Sequence, residues 1–142
     1  ATAGQNLGIV GETGRSKTRM IALLVKRLIW QGLRVEWCNA TSFQWAAQRQ
    51  WSDEEGAKAR HWLRAWRRAE VLIIDDLGKQ RFTDTVEAEF YDLLEHRTSR
   101  NLLILWSANT HPEQMLAAKQ LSKDRGAPIV GRLMDETFLA EV

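Results

Sequence analysis

The sequence predicts an α/β fold: a parallel β-sheet with helices on both faces. Three observations predict it. The runs "NLGIV" (6–10), "VLIID" (71–75) and "LLILW" (102–106) are almost wholly apolar, as strands buried on two faces are. Segments with helical periodicity separate them, which is the alternation that builds a parallel sheet. The residues best suited to chemistry fall just after these runs, at the carboxyl ends of the strands, where such sheets bind their ligands.

Taken in order, "NLGIV" is the first strand, and the apolar residues Met20, Ile21, Leu24, Val25, Leu28 and Ile29 then repeat at the spacing of one broad helix face. Gly32 stands where a helix ends in a left-handed residue. "LRVEWC" (33–38) alternates apolar and polar, the pattern of a strand with one wetter face. Ser42 suits the cap of a short helix carrying Phe43 and Ala46. Ser52 and Glu55 form the S-x-x-E pattern that opens a helix, here 53–68. After "VLIID", Val86, Phe90, Leu93 and Leu94 mark one face of a further helix. Following "LLILW", Pro112 and Pro128 each suit the first turn of a helix. "FLAEV" (138–142) reads as a last strand.

Composition bounds the function. With 142 residues, 44% hydrophobic and 27% charged, the chain is long enough for one domain (1–142) with a real core, and disorder is disfavoured. No apolar run approaches the roughly 20 residues needed to cross a bilayer, and no signal-peptide pattern opens the sequence. A single cysteine, Cys38, excludes an internal disulfide framework and offers no metal-ligand spacing, so a cytoplasmic location is expected. A net charge of +2 is too small to argue for nucleic acid by itself. The chain opens at Ala1 without an initiator methionine, and its first strand starts almost at once; this reads as a piece of a longer protein.

"GETGRSKTR" (11–19) follows the first strand and opens a helix, the context that a phosphate-binding loop G-x-x-x-x-G-K-[ST] requires. Gly11, Lys17 and Thr18 fall in register, while Ser16 stands where the second glycine belongs. Backbone N–H groups of Gly11, Glu12, Thr13, Gly14, Arg15, Ser16, Lys17, Thr18 and Arg19 are candidates to surround phosphates, aided by the helix dipole. Lys17 would reach the outer phosphates and the Thr18 hydroxyl would hold Mg²⁺. If residue 16 needs a positive φ, its side chain costs about 1–2 kcal/mol. "VLIIDDLG" (71–78) runs four apolar residues into two carboxylates, the Walker-B arrangement. Asp75 would bind Mg²⁺, and Asp76 would act on the attacking water as base or orienter. Asn109, just past "LLILWSA", is placed to reach the γ-phosphate or that water.

The order of phosphate loop, "LIIDDLGK", a strand ending in Ser-Ala-Asn, and "DRGAPIVGRL" resembles AAA+ ATPases of the DnaC-type helicase-loader and IstB-type transposition-helper group. "SKDRGAPIVGRL" (122–133) is most similar to DnaC-like replication ATPases of phages and prophages. The resemblance covers nearly the whole chain. It implies the P-loop NTPase three-layer sandwich with strand order 5-1-4-3-2, ATP with Mg²⁺, and self-association in which one subunit completes its neighbour's site. It also implies a sensor role for Asn109 and an arginine finger acting in trans at Arg132, in "GRL", with Arg125 as the weaker candidate. No second sensor arginine and no helical lid are assigned. A replicative helicase or another replication protein is the implied partner, with single-stranded DNA beside it.

In the helix 53–68, Trp62, Leu63 and Trp66 share one face and Arg60, Arg64, Arg67 and Arg68 another, either a DNA-contacting stripe or a solvated face. Trp30, Trp45 and Trp51 are the tryptophans expected at the surface for base stacking. His61, His96 and His111 lack ligand spacing and receive no role. Three functions compete. The leading one is an ATP-hydrolysing helicase-loader-like assembly factor or its IstB-like transposition counterpart. A non-hydrolysing nucleotide-binding module, favoured by Ser16, is its rival. A small-molecule kinase is disfavoured, because no arginine-rich lid segment is apparent.

Overall fold

The computed structural model describes residues 6–12, 16–79, 81–117 and 121–142. Strands β1 (Asn6–Val10), β2 (Val35–Asn39), β3 (Val71–Leu77), β4 (Leu103–Ala108) and β5 (Thr137–Glu141) form one sheet, in the order β2-β3-β4-β1-β5. Every pairing in it is parallel. This is the 5-1-4-3-2 order that the family resemblance implies. The helices are α1 (Lys17–Trp30), α2 (Ala40–Arg49), α3 (Gly56–Arg68), α4 (Asp84–Ser99), α5 (Pro112–Ala117) and α6 (Lys123–Met134).

Handedness distributes these helices unequally. Parallel crossovers are right-handed, and only β1→β2 runs toward the β2 edge while all others run the opposite way. Helix α1 therefore lies alone on its face, against Ile9, Val71, Ile73 and Leu105. Helices α2 to α6 share the other face with Leu72, Ile74, Ile104 and Trp106. There Phe43 is the hub of an aromatic cluster, with ring centroids 5.3 Å from Phe90, 5.9 Å from Trp66 and 6.0 Å from Phe82. The expected sheet with helices on both faces is observed, with the two faces unequally filled. On α1, Ile21 is fully buried and Leu24, Val25 and Leu28 are half-buried, whereas Met20 and Ile29 of the expected apolar face are exposed.

Several local expectations hold. Gly32 takes φ +83° directly after α1, Pro112 opens α5, and Val86, Phe90, Leu93 and Leu94 are buried along α4. Three helix starts differ from expectation. Asn39 caps α2, accepting from the Ser42 N–H at 2.8 Å, while the Ser42 hydroxyl accepts the Asn39 N–H at 3.0 Å; Ser42 is the reciprocal partner in the box. Helix α3 begins at Gly56, not at residue 53, because Ser52 organises the preceding turn: its hydroxyl accepts from Glu55 N–H at 3.3 Å. Helix α6 begins at Lys123, leaving Pro128 inside it. The Ser122 hydroxyl caps α6 by accepting from Arg125 N–H, and buried Glu87 holds Ser122 through both its N–H (2.9 Å) and its hydroxyl (2.6 Å). Pro128 removes one helix donor on an exposed face.

The α3–β3 and α4–β4 corners are joined by Arg97, a wholly buried cation on α4. It donates to the carbonyls of Trp66 (2.9 Å) and Ala69 (2.7 Å) at the end of α3, and to Leu103 (2.6 Å) at the start of β4. The helix dipole at the α3 C-terminus favours a cation there. Burial nonetheless pulls the guanidinium down to about 10. It also pushes up the thiol of the buried Cys38. Replacing Arg97 with Met should strand these carbonyls and cost on the order of 3 kcal/mol, read as a lowered urea midpoint. A loss below about 1 kcal/mol would mean that water satisfies them equally well.

Candidate nucleotide-binding site

The site is assembled at the carboxyl edge of the sheet, where β1, β3 and β4 end. Gly11 leaves β1 with its N–H bonded to Ala108 O at 3.1 Å. A Cβ there would stand 2.7 Å from both the carbonyl oxygen and a methyl of Val142, so the close strand approach requires glycine. Thr13, Gly14 and Arg15 lie outside the described residues. Ser16 precedes α1 at φ +61°, ψ +28°, the left-handed region, and its side chain makes no capping bond. The condition set by the sequence is met: residue 16 takes a glycine conformation with a side chain attached, at a cost of about 1–2 kcal/mol.

Helix α1 then begins at Lys17. The N–H groups of its first turn have no partner within the helix, which makes this end attractive to an anion. Lys17 is buried, and its ammonium donates to Gly11 O (2.6 Å) and Glu12 O (2.9 Å) within the same loop. Thr18 and Arg19 are exposed.

Asp75 is the junction of the site. Its carboxylate, only 5% exposed, accepts the Thr18 hydroxyl at 3.1 Å on one oxygen. On the other it accepts the Asp76 N–H at 3.0 Å and the hydroxyl of Ser107. Ser107 in turn accepts the Asp76 N–H at 3.1 Å. Helix α1, β3 and β4 are thus tied at one carboxylate. The sequence reading missed Ser107; a lone hydroxyl in a buried apolar run was the available signal.

Two successive residues of a regular strand point to opposite faces. Here the β3·β4 register slips between Ile74 and Leu77, and Asp76 takes φ +56° at that bulge. The irregularity re-aims Asp76 away from strict alternation. Its carboxylate is partly exposed, with Lys79 at 3.9 Å, a weak surface pair. Asn109 is exposed and follows Ala108, the residue bonded to Gly11. Gly11, Lys17, Thr18, Asp75, Asp76 and Asn109 therefore belong to one edge of the sheet.

Arg132 does not. It lies near the C-terminal end of α6, just before β5, and β5 starts where β1 starts: Thr137 pairs with Asn6. Arg132 thus lies toward the edge where β1 and β5 begin, whereas Lys17 follows the edge where β1 ends. Arg125, in the first turn of α6, is half-buried on the side of the molecule where β4 ends.

Thr18 and Asp75 supply one hydroxyl and one carboxylate in contact, a hard-oxygen pair suited to Mg²⁺, which keeps its remaining positions for nucleotide oxygens and water. Among the described residues no group of three or more His, Cys, Asp or Glu is arranged to hold a metal alone. No helix among them is long and apolar enough to cross a membrane.

A parallel 5-1-4-3-2 sheet with a lysine-bearing loop after β1 and a buried carboxylate ending β3 defines an AAA+ P-loop domain. The family model described as "IstB-like ATP binding protein" matches residues 1–125, and the chain belongs to that family. Among solved structures it is similar to AMPPCP-bound DnaA from Aquifex aeolicus, with 17% identity, a TM-score of 0.79, and coverage of 100% of this chain and 41% of that one. It is also similar to the DnaC helicase loader (19%, TM-score 0.78, 99% and 79%) and to DnaI (20%, TM-score 0.78, 97% and 70%). The chain thus spans about two-fifths of the DnaA chain. Among curated proteins none matches the sequence.

The left-handed Ser16 yields a direct expectation. Ser16→Gly should tighten ADP or AMPPCP binding by about two- to tenfold, the part of 1–2 kcal/mol that survives glycine's extra chain entropy. Calorimetry on both proteins reads this. Weaker binding by the variant would show that the serine hydroxyl contributes more than its backbone costs.

Proposed function

We propose that this chain is an ATP-hydrolysing AAA+ assembly factor of the helicase-loader kind, of the phage and prophage type, that acts in DNA replication. The observation that supports it most is the Thr18–Asp75–Ser107 junction beneath the Lys17 loop, with Asp76 turned out at a bulge beside it. Lys17 exchanges its loop carbonyls for the outer phosphates, and the first-turn N–H groups of α1 hold the phosphate chain. Thr18 and Asp75 would hold Mg²⁺, which would supply neutralising charge on the phosphate oxygens. Asp76 accepts a proton from, or orients, the attacking water, and Asn109 fixes that water or the γ-phosphate. Arg132, toward the opposite edge from its own Lys17, serves the site of a neighbouring copy and stabilises the charge that develops on the transferring phosphoryl group.

The relatives suggest the partners. One similar structure is DnaA bound to AMPPCP and single-stranded DNA, and another is a helicase loader. A replicative helicase or comparable replication protein, further copies of this chain, and single-stranded DNA are proposed here. The face for DNA is that of α3. Arg67 there is paired with Glu89 at 3.5 Å and Arg60 donates to Gln50 O, but Arg64 and Arg68 have no carboxylate partner among the described residues. Nearby, His96 is held below its usual range, first by burial and then by Arg100, Arg67, Arg97 and, last, Arg68. Trp30 and Trp51 are 82% and 77% exposed, as stacking requires. Trp45 is not; it packs 5.0 Å from Trp62, with Lys58 above both rings. Trp62 is half-buried and Leu63 and Trp66 are buried, a core face.

A non-hydrolysing role rests on one observation, the strained Ser16. A transposition-helper role, implied by the IstB-type resemblance, is the variant of the leading reading.

Two experiments test the proposal. Asp76→Asn keeps a residue tolerant of left-handed backbone and should bind ATP nearly as wild type while losing most hydrolysis; Asp75→Asn should also weaken Mg²⁺-dependent binding. The opposite pattern would exchange their roles. Arg132→Ala should bind ATP normally yet lose concentration-dependent turnover by roughly 10³ or more. Mixing it with Lys17→Ala should restore part of that turnover, because an intact loop then meets an intact arginine. Wild-type turnover by Arg132→Ala alone would end the trans role and turn attention to Arg125.

A further inference from the structure

Arg132 is not free to sample the surface. Its Nε donates to Glu95 of α4, and Tyr91, one helical turn earlier, also favours the ionised Glu95 carboxyl. Both Arg132 and Glu95 are about two-fifths exposed, so the pair sits at the surface without being buried in it. An isolated surface pair of this exposure adds little to stability. Its geometry is more informative than its energy. A guanidinium carries five N–H donors in a planar fork. Held at Nε, it still has N–H groups on its terminal nitrogens, the end that grips phosphate, for a second acceptor.

We propose that Glu95, steadied by Tyr91, is a positioning residue that presents the terminal nitrogens of Arg132 to the nucleotide of an adjoining copy. This rests on the trans role given to Arg132 above. Two features of the surroundings support it. Tyr91 and Glu95 lie on one face of α4, and α4 is fixed to the start of α6 by the Glu87–Ser122 bonds, so the backbone carrying the acceptor and the backbone carrying the arginine move together. The pairing is also strong in charge: it holds the Glu95 carboxyl below its ordinary range and raises the Arg132 guanidinium, so both partners stay ionised near neutrality. A long arginine side chain left unrestrained would have to be ordered at each encounter between subunits. Glu95 orders it beforehand.

The test uses the whole chain with Glu95→Ala, Glu95→Gln, Tyr91→Phe and Arg132→Ala. Turnover is measured as a function of protein and ATP concentration, and melting is followed in parallel. Glu95→Ala should lose roughly tenfold to a hundredfold in the concentration-dependent kcat, with KM for ATP and the melting temperature near wild type. Glu95→Gln, whose amide oxygen still accepts from Nε, should keep turnover within about threefold, and Tyr91→Phe should fall between. A purely structural role would move melting and leave kcat of the folded protein unchanged, which overturns the proposal. Faster turnover by Glu95→Ala would also overturn it, since Glu95 would then be restraining Arg132. If Arg132→Ala itself turns over as wild type, the reading of Arg132 fails; if Arg132→Ala is inactive while Glu95→Ala is not, only the role of Glu95 fails. Where wild-type turnover is too slow to read, sedimentation with AMPPCP replaces it, and Glu95→Ala should then weaken nucleotide-dependent association.

Discussion

The carboxylate of Asp75 is the constraint on which the site depends. It sits at the end of β3 in a nearly dry position and collects hydroxyls from α1 and β4 together with the N–H of its own neighbour. A buried charge is tolerated only when its lone pairs are occupied, and this one is met by groups from three separate elements. The loop after β1, the bulge in β3 and the start of the segment after β4 are therefore located relative to one oxygen pair. The carboxylate also leaves room for Asp76, because the bulge that supplies the N–H to Asp75 is the same irregularity that turns the Asp76 side chain outward. Locking Asp75 and freeing Asp76 are one structural event.

The rest of the molecule supports that edge unequally. The crowded face carries the aromatic hub around Phe43, the Arg97 bridge between α3 and β4, and the Glu87 contact that starts α6. The α1 face carries one helix and a smaller apolar cluster. Stability is concentrated behind the sheet, while the helix that follows the Lys17 loop rests on a lighter support.

Much of this was legible in the sequence. Fully apolar strands, the phosphate-loop spacing and the Asp-Asp ending announce themselves because burial on two faces and the geometry of phosphate binding leave few alternatives at those positions. The strand order came from resemblance to a family; periodicity alone does not order strands. What escaped has physical reasons. Arg97 reads as a surface arginine on an amphipathic helix, because nothing local reveals that carbonyls from α3 and β4 converge on it. Asn39 and Ser42 are both capping residues, and only the backbone decides which one caps and which reciprocates. Pro128 suggested a helix start because proline is common there; Ser122, anchored by a glutamate far away in sequence, started the helix earlier. The open side of α1 escaped because an apolar pattern reports what can be buried and not what arrives to bury it.

The separation of Lys17 and Arg132 across the sheet has a consequence for symmetry. If the arginine of one copy completes the loop of the next, each copy offers a giving end and a receiving end, on opposite edges. Two such copies cannot satisfy both ends by facing each other about a two-fold axis, since that operation brings identical patches together. Contacts of this head-to-tail kind either close into a ring or continue as a helical array. In an open array the last subunit always keeps one loop without an arginine, so catalytic capacity counts interfaces, and a chain of copies has a direction as well as a length.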